Sequence, residues 1–220
     1  MYKPARKISN KGTKKNTGFF PSIKNERPVA FESLLERDYI YLLEYDSDVI
    51  SYQEQPIKIS FKIASRTYRY TPDFLVLRKN KIQLIEIKPK RKLEKLLNDK
   101  LTVKRYEAAA LYCKSNNYDE FKIITDEEIR SGYILENIKT LFHYSRSHVP
   151  AVDKMKIRNE LMLNGPQQIS DILIKICDSA EYHSKYHSYI LALLYHREII
   201  TDMRKPISRN SIISSQNRGE

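Results

Sequence analysis

The reading of this chain turns on Thr71-Pro72-Asp73-Phe74-Leu75-Val76-Leu77, the polar link Arg78-Lys79-Asn80-Lys81, and Ile82-Gln83-Leu84-Ile85-Glu86-Ile87-Lys88. Two apolar runs joined by a short polar turn predict a β-hairpin. Side chains alternate across a strand, so Leu84, Glu86 and Lys88 share one face of the second run and Gln83 takes the other. Asp73 stands at the entry of the first strand, which a tight hairpin sets beside the exit of the second. Asp73, Glu86 and Lys88 are therefore expected to converge where the sheet opens to solvent.

Those residue types suit the hydrolysis of a phosphodiester. Mg²⁺ prefers one or two carboxylates together with water and substrate oxygens, and such an ion neutralises the charge that builds on a phosphate. Asp73 and Glu86 supply the carboxylates. A lysine beside them can orient or deprotonate the attacking water and offset charge in the transition state, provided metal and burial lower its pKa. Lys88 is placed for that task.

Upstream, Phe31, Leu34, Leu35, Leu42 and Leu43 fall at helical spacings while Glu32, Arg37, Asp38 and Glu44 keep the other positions polar, which predicts an amphipathic helix. Glu32 and Glu36 lie four apart and share a side of it. Ile57, Ile59, Phe61 and Ile63 then alternate with Lys58, Ser60 and Lys62, the period of a half-buried strand. Lys58 and Lys62 project together, either to meet DNA or as an ordinary solvated face. Arg66-Thr67-Tyr68-Arg69-Tyr70 suits a strand that grips a backbone and equally an exposed edge strand.

Downstream, Pro89 ends the strand because it cannot donate to a sheet ladder. A basic run of Lys90, Arg91, Lys92, Lys95, Lys100, Lys104 and Arg105 lies along a long helix sketched by Leu93, Leu96, Leu97, Leu101, Tyr106, Ala109, Ala110 and Cys113. Lys90, Arg91, Lys92, Lys104 and Arg105 are candidate DNA contacts, a guide for a scissile phosphate. A solvated helix face accounts for at least half of the basic run. Phe121 to Thr125 predicts another buried strand, Asp126 an N-cap, and Tyr133 to Tyr144 a helix. Helix, antiparallel strands, helix, strand and helix make an α/β core with a mixed sheet flanked by helices.

The polar, proline-terminated stretch Ser145 to Pro150 marks a boundary between a domain over 28–145 and another over 146–220. Asp153 to Leu163, Ile169 to Ile176 and Tyr182 to Tyr195 predict three helices. His196 to Asp202 with Pro206-Ile207-Ser208 suggests a short β-wing, so the second domain reads as a small winged helix, a module used on DNA or on proteins. Its eleven Lys or Arg against eight acids argue against a strong DNA reader. Ahead of both domains, residues 1–27 form a basic arm. Residues 1–30 carry eight Lys or Arg against Glu26 alone, more than half of the net charge of +12. Such an arm suits phosphates, where each contact releases counterions, or is a solubilising tail.

Taken together, Pro72-Asp73, the spacer and Glu86-Ile87-Lys88 resemble the PD-(D/E)xK nuclease superfamily. Phe31-Glu32-Ser33-Leu34-Leu35-Glu36-Arg37-Asp38, Asp48-Val49, Glu54-Gln55-Pro56 and Thr71-Pro72-Asp73-Phe74 are similar to TnsA, the endonuclease subunit of heteromeric transposases. The resemblance covers roughly residues 20 to 145. It implies a restriction-endonuclease-like fold, Mg²⁺ with Mn²⁺ as a substitute, and cleavage of the 5′ ends of a transposon beside the TnsB transposase and the TnsC ATPase regulator. It also implies a helix glutamate at the metal site, here Glu36 with Glu32 as second choice. Asp73, Glu86 and the Ile87 carbonyl would hold metal, and Lys88 would position or activate the nucleophile. Some TnsA proteins have glutamine where this chain has Glu86, so a looser relative stays open. So do a nuclease of the same superfamily working alone and a non-catalytic DNA-binding scaffold.

The 220 residues, 41% hydrophobic and 30% charged, can hold one ordinary domain and a small one. No apolar run is long enough to span a bilayer, and Met1 to Lys7 lacks the apolar core of a secretory signal, so the cytoplasm is expected, with action at a bacterial nucleoid. Cys113 and Cys177 lack metal-site spacing and read as reduced structural residues. His183 and His187 are four apart, but two ligands make no site without a third. Five glycines and no phosphate loop argue against an NTPase.

Overall fold

The computed structural model describes residues 16–177 and 179–216. The basic run Lys3 to Lys15 thus lies outside the described residues. The chain divides into a unit ending at Ser131 and a second beginning at Gly132.

In the first unit, β1 (Gly18–Pro21) pairs antiparallel with β2 (Pro28–Phe31). Order therefore begins ahead of residue 28, and residues 18–27 belong to the folded unit rather than to a basic arm. The basic composition hid an apolar anchor: Phe20 is buried and meets the Tyr41 ring edge-on at 4.8 Å. Helix α1 (Leu34–Tyr45) starts at Ser33, whose side chain accepts from the Glu36 amide. Leu35, Tyr39, Ile40 and Leu43 are its buried stripe. Asp38 and Glu44, predicted on the polar side, are buried too. Each has partners that remove the cost of an unpaired charge. Asp38 meets the Arg130 guanidinium at 2.7 Å. Glu44 accepts from the Ser22 hydroxyl at 2.5 Å, the Tyr52 phenol at 2.6 Å and the Ile23 amide at 3.0 Å.

The strands β3 (Val49–Glu54), β4 (Ile59–Ile63), β5 (Arg66–Tyr70), β6 (Phe74–Arg78) and β7 (Lys81–Lys88) follow, then α2 (Lys90–Leu97), α3 (Lys100–Ser115), β8 (Glu120–Thr125) and α4 (Asp126–Ile129). One sheet has the order β3-β6-β7-β8, antiparallel except for the parallel pair β7 and β8. Parallel neighbours need a long crossover, and α2 with α3 provides it. The long helix expected there is two helices, because Asp99 caps a new start by accepting from the Thr102 amide. On one face of the sheet Phe74 packs against Tyr39 of α1 at 5.7 Å. On the other, Leu84 packs with Tyr106, Ala109 and Cys113 of α3 and with Ile59 and Tyr70 of the separate β4–β5 hairpin. The unit is a mixed α/β sheet flanked by helices.

The second unit holds α5 (Ile134–Phe142), α6 (Ala151–Asn164), β9 (Gln167–Gln168), α7 (Ile169–Ile176), a 3₁₀ turn (Ala180–Tyr182), α8 (His183–Tyr195), β10 (Ile199–Thr201) and β11 (Ile212–Ser215). Its small antiparallel sheet has the order β10-β11-β9. The second strand of the expected wing is therefore Ile212–Ser215, while Pro206-Ile207-Ser208 lies in the connecting loop. The division at 131/132 also differs from the one expected at 145/146, and Asn137 supplies the reason. Its amide donates to the Met203 carbonyl at 3.0 Å and the Lys205 carbonyl at 2.8 Å, and its oxygen accepts from the Ile207 amide at 3.0 Å. Leu135, Ile138 and Leu141 of α5 are buried, and the Phe142 and Tyr195 rings meet at 6.0 Å. Cys113 and Cys177 are both buried. No helix among the described residues is long and apolar enough to cross a membrane.

Replacing Asn137 by alanine leaves two carbonyls and an amide without their buried partner. The expected loss is about 2–4 kcal/mol, read as a lower midpoint of urea unfolding with an unchanged slope.

Candidate active site

The β6–β7 hairpin sets Phe74 opposite Ile85, so one step further along the strands Asp73 comes opposite Glu86. The ladder opens there. Instead of a backbone pair, the Asp73 carboxylate accepts from the Ile87 amide at 2.7 Å. The Asp73 carbonyl accepts from the Gln55 amide at 2.8 Å. Gln55 is buried and holds the left-handed backbone conformation, with φ of 43°. That turn ties the end of β3 to the residue before β6, a role for Gln55 that the sequence did not suggest.

Lys88 closes the group. Its ammonium lies 2.5 Å from the Glu86 carboxylate, 3.6 Å from that of Asp73 and 3.0 Å from the Ile87 carbonyl. The hairpin thus brings Asp73, Glu86 and Lys88 together, with the Ile87 carbonyl beside them. Burial, reinforced by Glu86, pushes the Asp73 carboxyl well above its ordinary range. Burial works against the Lys88 charge, yet Asp73 and Glu86 outweigh it and hold the ammonium above its ordinary pKa. Lys88 is thus held as a cation between the two acids.

Tyr70 is a member that sequence reasoning missed. Its phenol donates to the second oxygen of Glu86 at 2.6 Å. Burial and the adjacent Glu86 raise the phenol, which keeps it a donor. The Arg105 guanidinium lies 5.6 Å from the Tyr70 ring centre, and its buried Nε has no hydrogen-bond partner among the described residues. The only signal in sequence was the aromatic position of Tyr70 in an alternating strand.

Glu36 lies on the wall of the same open cavity of about 1000 Å³ as Asp73, Glu86 and Lys88. Its carboxylate accepts from the Glu32 amide at 2.8 Å and the Ser33 hydroxyl at 2.9 Å, the bonds of a helix start. Burial raises its pKa. Glu32 also lines the cavity. Of the candidate DNA contacts, Lys92 and Arg105 line it, whereas Lys90 pairs with Glu127 at 3.1 Å and Lys104 with Glu107 at 2.7 Å. Arg91 is exposed on α2. Among the described residues, no three His, Cys, Asp or Glu side chains group as a metal site. The donors here are two carboxylates and one carbonyl around a cation, a set that suits Mg²⁺ completed by water and substrate.

Residues 46–126 match the family described as TnsA-like endonuclease N terminal. Over those residues the chain is similar to a TnsA-like endonuclease domain. Comparison with curated proteins gives no match. The matched stretch holds Asp73, Glu86, Ile87 and Lys88 and runs from the end of α1 to the start of α4, within the first unit. Glu36 precedes it. The TnsA-like domain therefore includes the whole β6–β7 hairpin, and α1 adds one more carboxylate at the cavity wall.

Tyr70→Phe keeps the ring against α3 and deletes one bond to a buried carboxylate. The TnsA-like domain should lose about 1.5–3 kcal/mol in urea unfolding. A change within about 0.5 kcal/mol would mean that the phenol does not hold Glu86.

Proposed function

We propose that this chain is the DNA endonuclease subunit of a TnsA, TnsB and TnsC transposition machinery, cutting the 5′ ends of the transposon by Mg²⁺-dependent hydrolysis. The observation that carries this reading is the convergence of the Asp73 and Glu86 carboxylates and the Ile87 carbonyl on one cation, the Lys88 ammonium, inside a TnsA-like domain. Three oxygen donors that hold an ammonium also suit a hard divalent ion.

Asp73, Glu86 and Ile87 would hold such an ion, with Mn²⁺ as a substitute, and Glu36 would complete the site directly or through water. When bound, the ion supplies charge neutralisation at the scissile phosphate. The protein's own residues do the rest. Tyr70 fixes one oxygen of Glu86 so that the other faces Lys88. Lys88 would position or activate the attacking water and offset charge on the phosphate oxygens. Arg105 and Lys92, on the cavity wall, supply further charge for the phosphate backbone.

The mixed sheet with its helical crossover supports a restriction-endonuclease-like core. In the second unit, the order from α6 onward, helix, strand, helix, helix, strand, strand with one small sheet, supports a winged helix. Its use is taken to be docking to TnsC rather than reading DNA. Val152, Met155, Met162 and Leu163 on α6 are exposed apolar side chains at helical spacing, and Leu163 is 82% exposed. Such a stripe suits a protein partner better than a phosphate backbone.

Strand-specific cleavage of a transposon-end duplex with Mg²⁺ tests the reading. Cuts at the 5′ ends are expected with TnsB and TnsC present, and Asp73→Ala should reduce them by about two to three orders of magnitude or more. Efficient cutting of unrelated DNA by the chain alone would instead identify an autonomous nuclease. Cuts that survive Asp73→Ala would move the catalytic centre elsewhere.

A further inference from the structure

The β4–β5 hairpin stands apart from the main sheet and is anchored to α3 by one face only. Ile59 and Tyr70, opposite one another in its ladder, join Tyr106, Ala109 and Cys113 in the core. Phe61 and Tyr68 continue that face with stacked rings 5.7 Å apart. The other face carries Ser60, Lys62, Thr67 and Arg69, with Lys58 one residue ahead of the strand, and all five are exposed.

From Ile57 to Pro72 the chain has Lys58, Lys62, Arg66 and Arg69 and no Asp or Glu. Among the described residues, Lys58, Lys62 and Arg69 form no ion pair, in contrast to Lys90 and Lys104 on the helices. Lys58 and Arg69 line the same cavity as Asp73 and Glu86. Lys62 lies four residues along the strand from Lys58, roughly 13 Å, so the charges form a track from the cavity towards the hairpin tip. That length spans the rise of about four nucleotides of one strand.

We infer that the Lys58, Lys62 and Arg69 face of the β4–β5 hairpin is a docking surface for the phosphate backbone of duplex DNA flanking the scissile bond. The inference rests on the reading of the chain as a DNA nuclease. It assigns most of the backbone grip to this hairpin, with its unpaired cations, rather than to Lys90 and Lys104, whose charges are already satisfied. Alternation puts three cations on the outer face while the inner face is held by α3, so the surface is presented without any rearrangement of the core.

The test is fluorescence anisotropy of a labelled transposon-end duplex with the full chain, in EDTA so that no cleavage occurs, over a series of salt concentrations. The Lys58→Ala/Lys62→Ala/Arg69→Ala variant should lower the slope of log K against log salt by about 0.9 for each lost contact, two to three in all. The charge-keeping Lys58→Arg/Lys62→Arg variant should keep the wild-type slope. Lys81→Ala, which removes a cation paired with Glu120 at the far end of the β6–β7 hairpin, should also leave it unchanged. Matching circular dichroism spectra would show that the alanine variant is folded.

An unchanged slope in the triple variant would overturn the inference, since cations that only keep a hairpin edge soluble are not counted in DNA binding. So would a wild-type chain that binds no duplex. A hairpin-dependent slope in a chain that cuts nothing with Mg²⁺ would uphold the surface and overturn the nuclease reading. Cleavage with an unchanged slope would do the reverse.

Discussion

Two carboxylates facing each other across a pair of strands repel, and a buried acid without compensation unfolds or takes up a proton. Asp73 and Glu86 are in that position because the register of the β6–β7 hairpin puts them there. Lys88 on the same face and the Ile87 amide are what make the arrangement tolerable. The rest of the first unit follows from keeping this group intact. Gln55 pins the backbone of Asp73, Tyr70 takes the spare oxygen of Glu86, and α3 covers Tyr70. The two acids are thus held by a cation of the protein's own.

The unit uses the same device for structure alone. Glu44 gathers the Ser22 hydroxyl, the Tyr52 phenol and the amide of Ile23, joining the β1–β2 connection to α1 and β3. Glu54 holds Arg27 through two parallel bonds of 2.8 and 2.7 Å, a fork geometry that fixes direction as well as charge. Asp38 and Arg130 tie α1 to the residue after α4. What separates Asp73 and Glu86 from these is the cavity. Glu44, Glu54 and Asp38 have their oxygens occupied within the fold, whereas Asp73 remains about a fifth exposed beside open space.

Charge on the surface divides in a similar way. On α2 and α3, Lys90 pairs with Glu127 and Lys104 with Glu107. The β4–β5 hairpin has no acid within its own span, and its Lys58, Lys62 and Arg69 side chains are exposed. The second unit has a different character, with an α6 stripe of exposed apolar side chains and a loop held by Asn137. The first unit thus carries a basic hairpin without acids and the second an exposed apolar stripe.

By itself the sequence determined the hairpin, the shared face of Glu86 and Lys88, the meeting of both with Asp73, and the amphipathic α1. Those features depend on the alternation of a strand, the period of a helix and the shortness of a turn, which are properties of neighbouring residues. Tertiary structure alone decided the rest. Asp38 and Arg130 are 92 residues apart, and no local pattern distinguishes their burial from a solvated pair. The placement of residues 18–27 inside the fold, the attachment of α5 to the second unit and the bond from Tyr70 to Glu86 likewise depend on which segments meet. Burial and hydrogen bonding between distant segments are set by the packing of whole elements, so a sequence read by its periods names the side chains that meet but not what holds them.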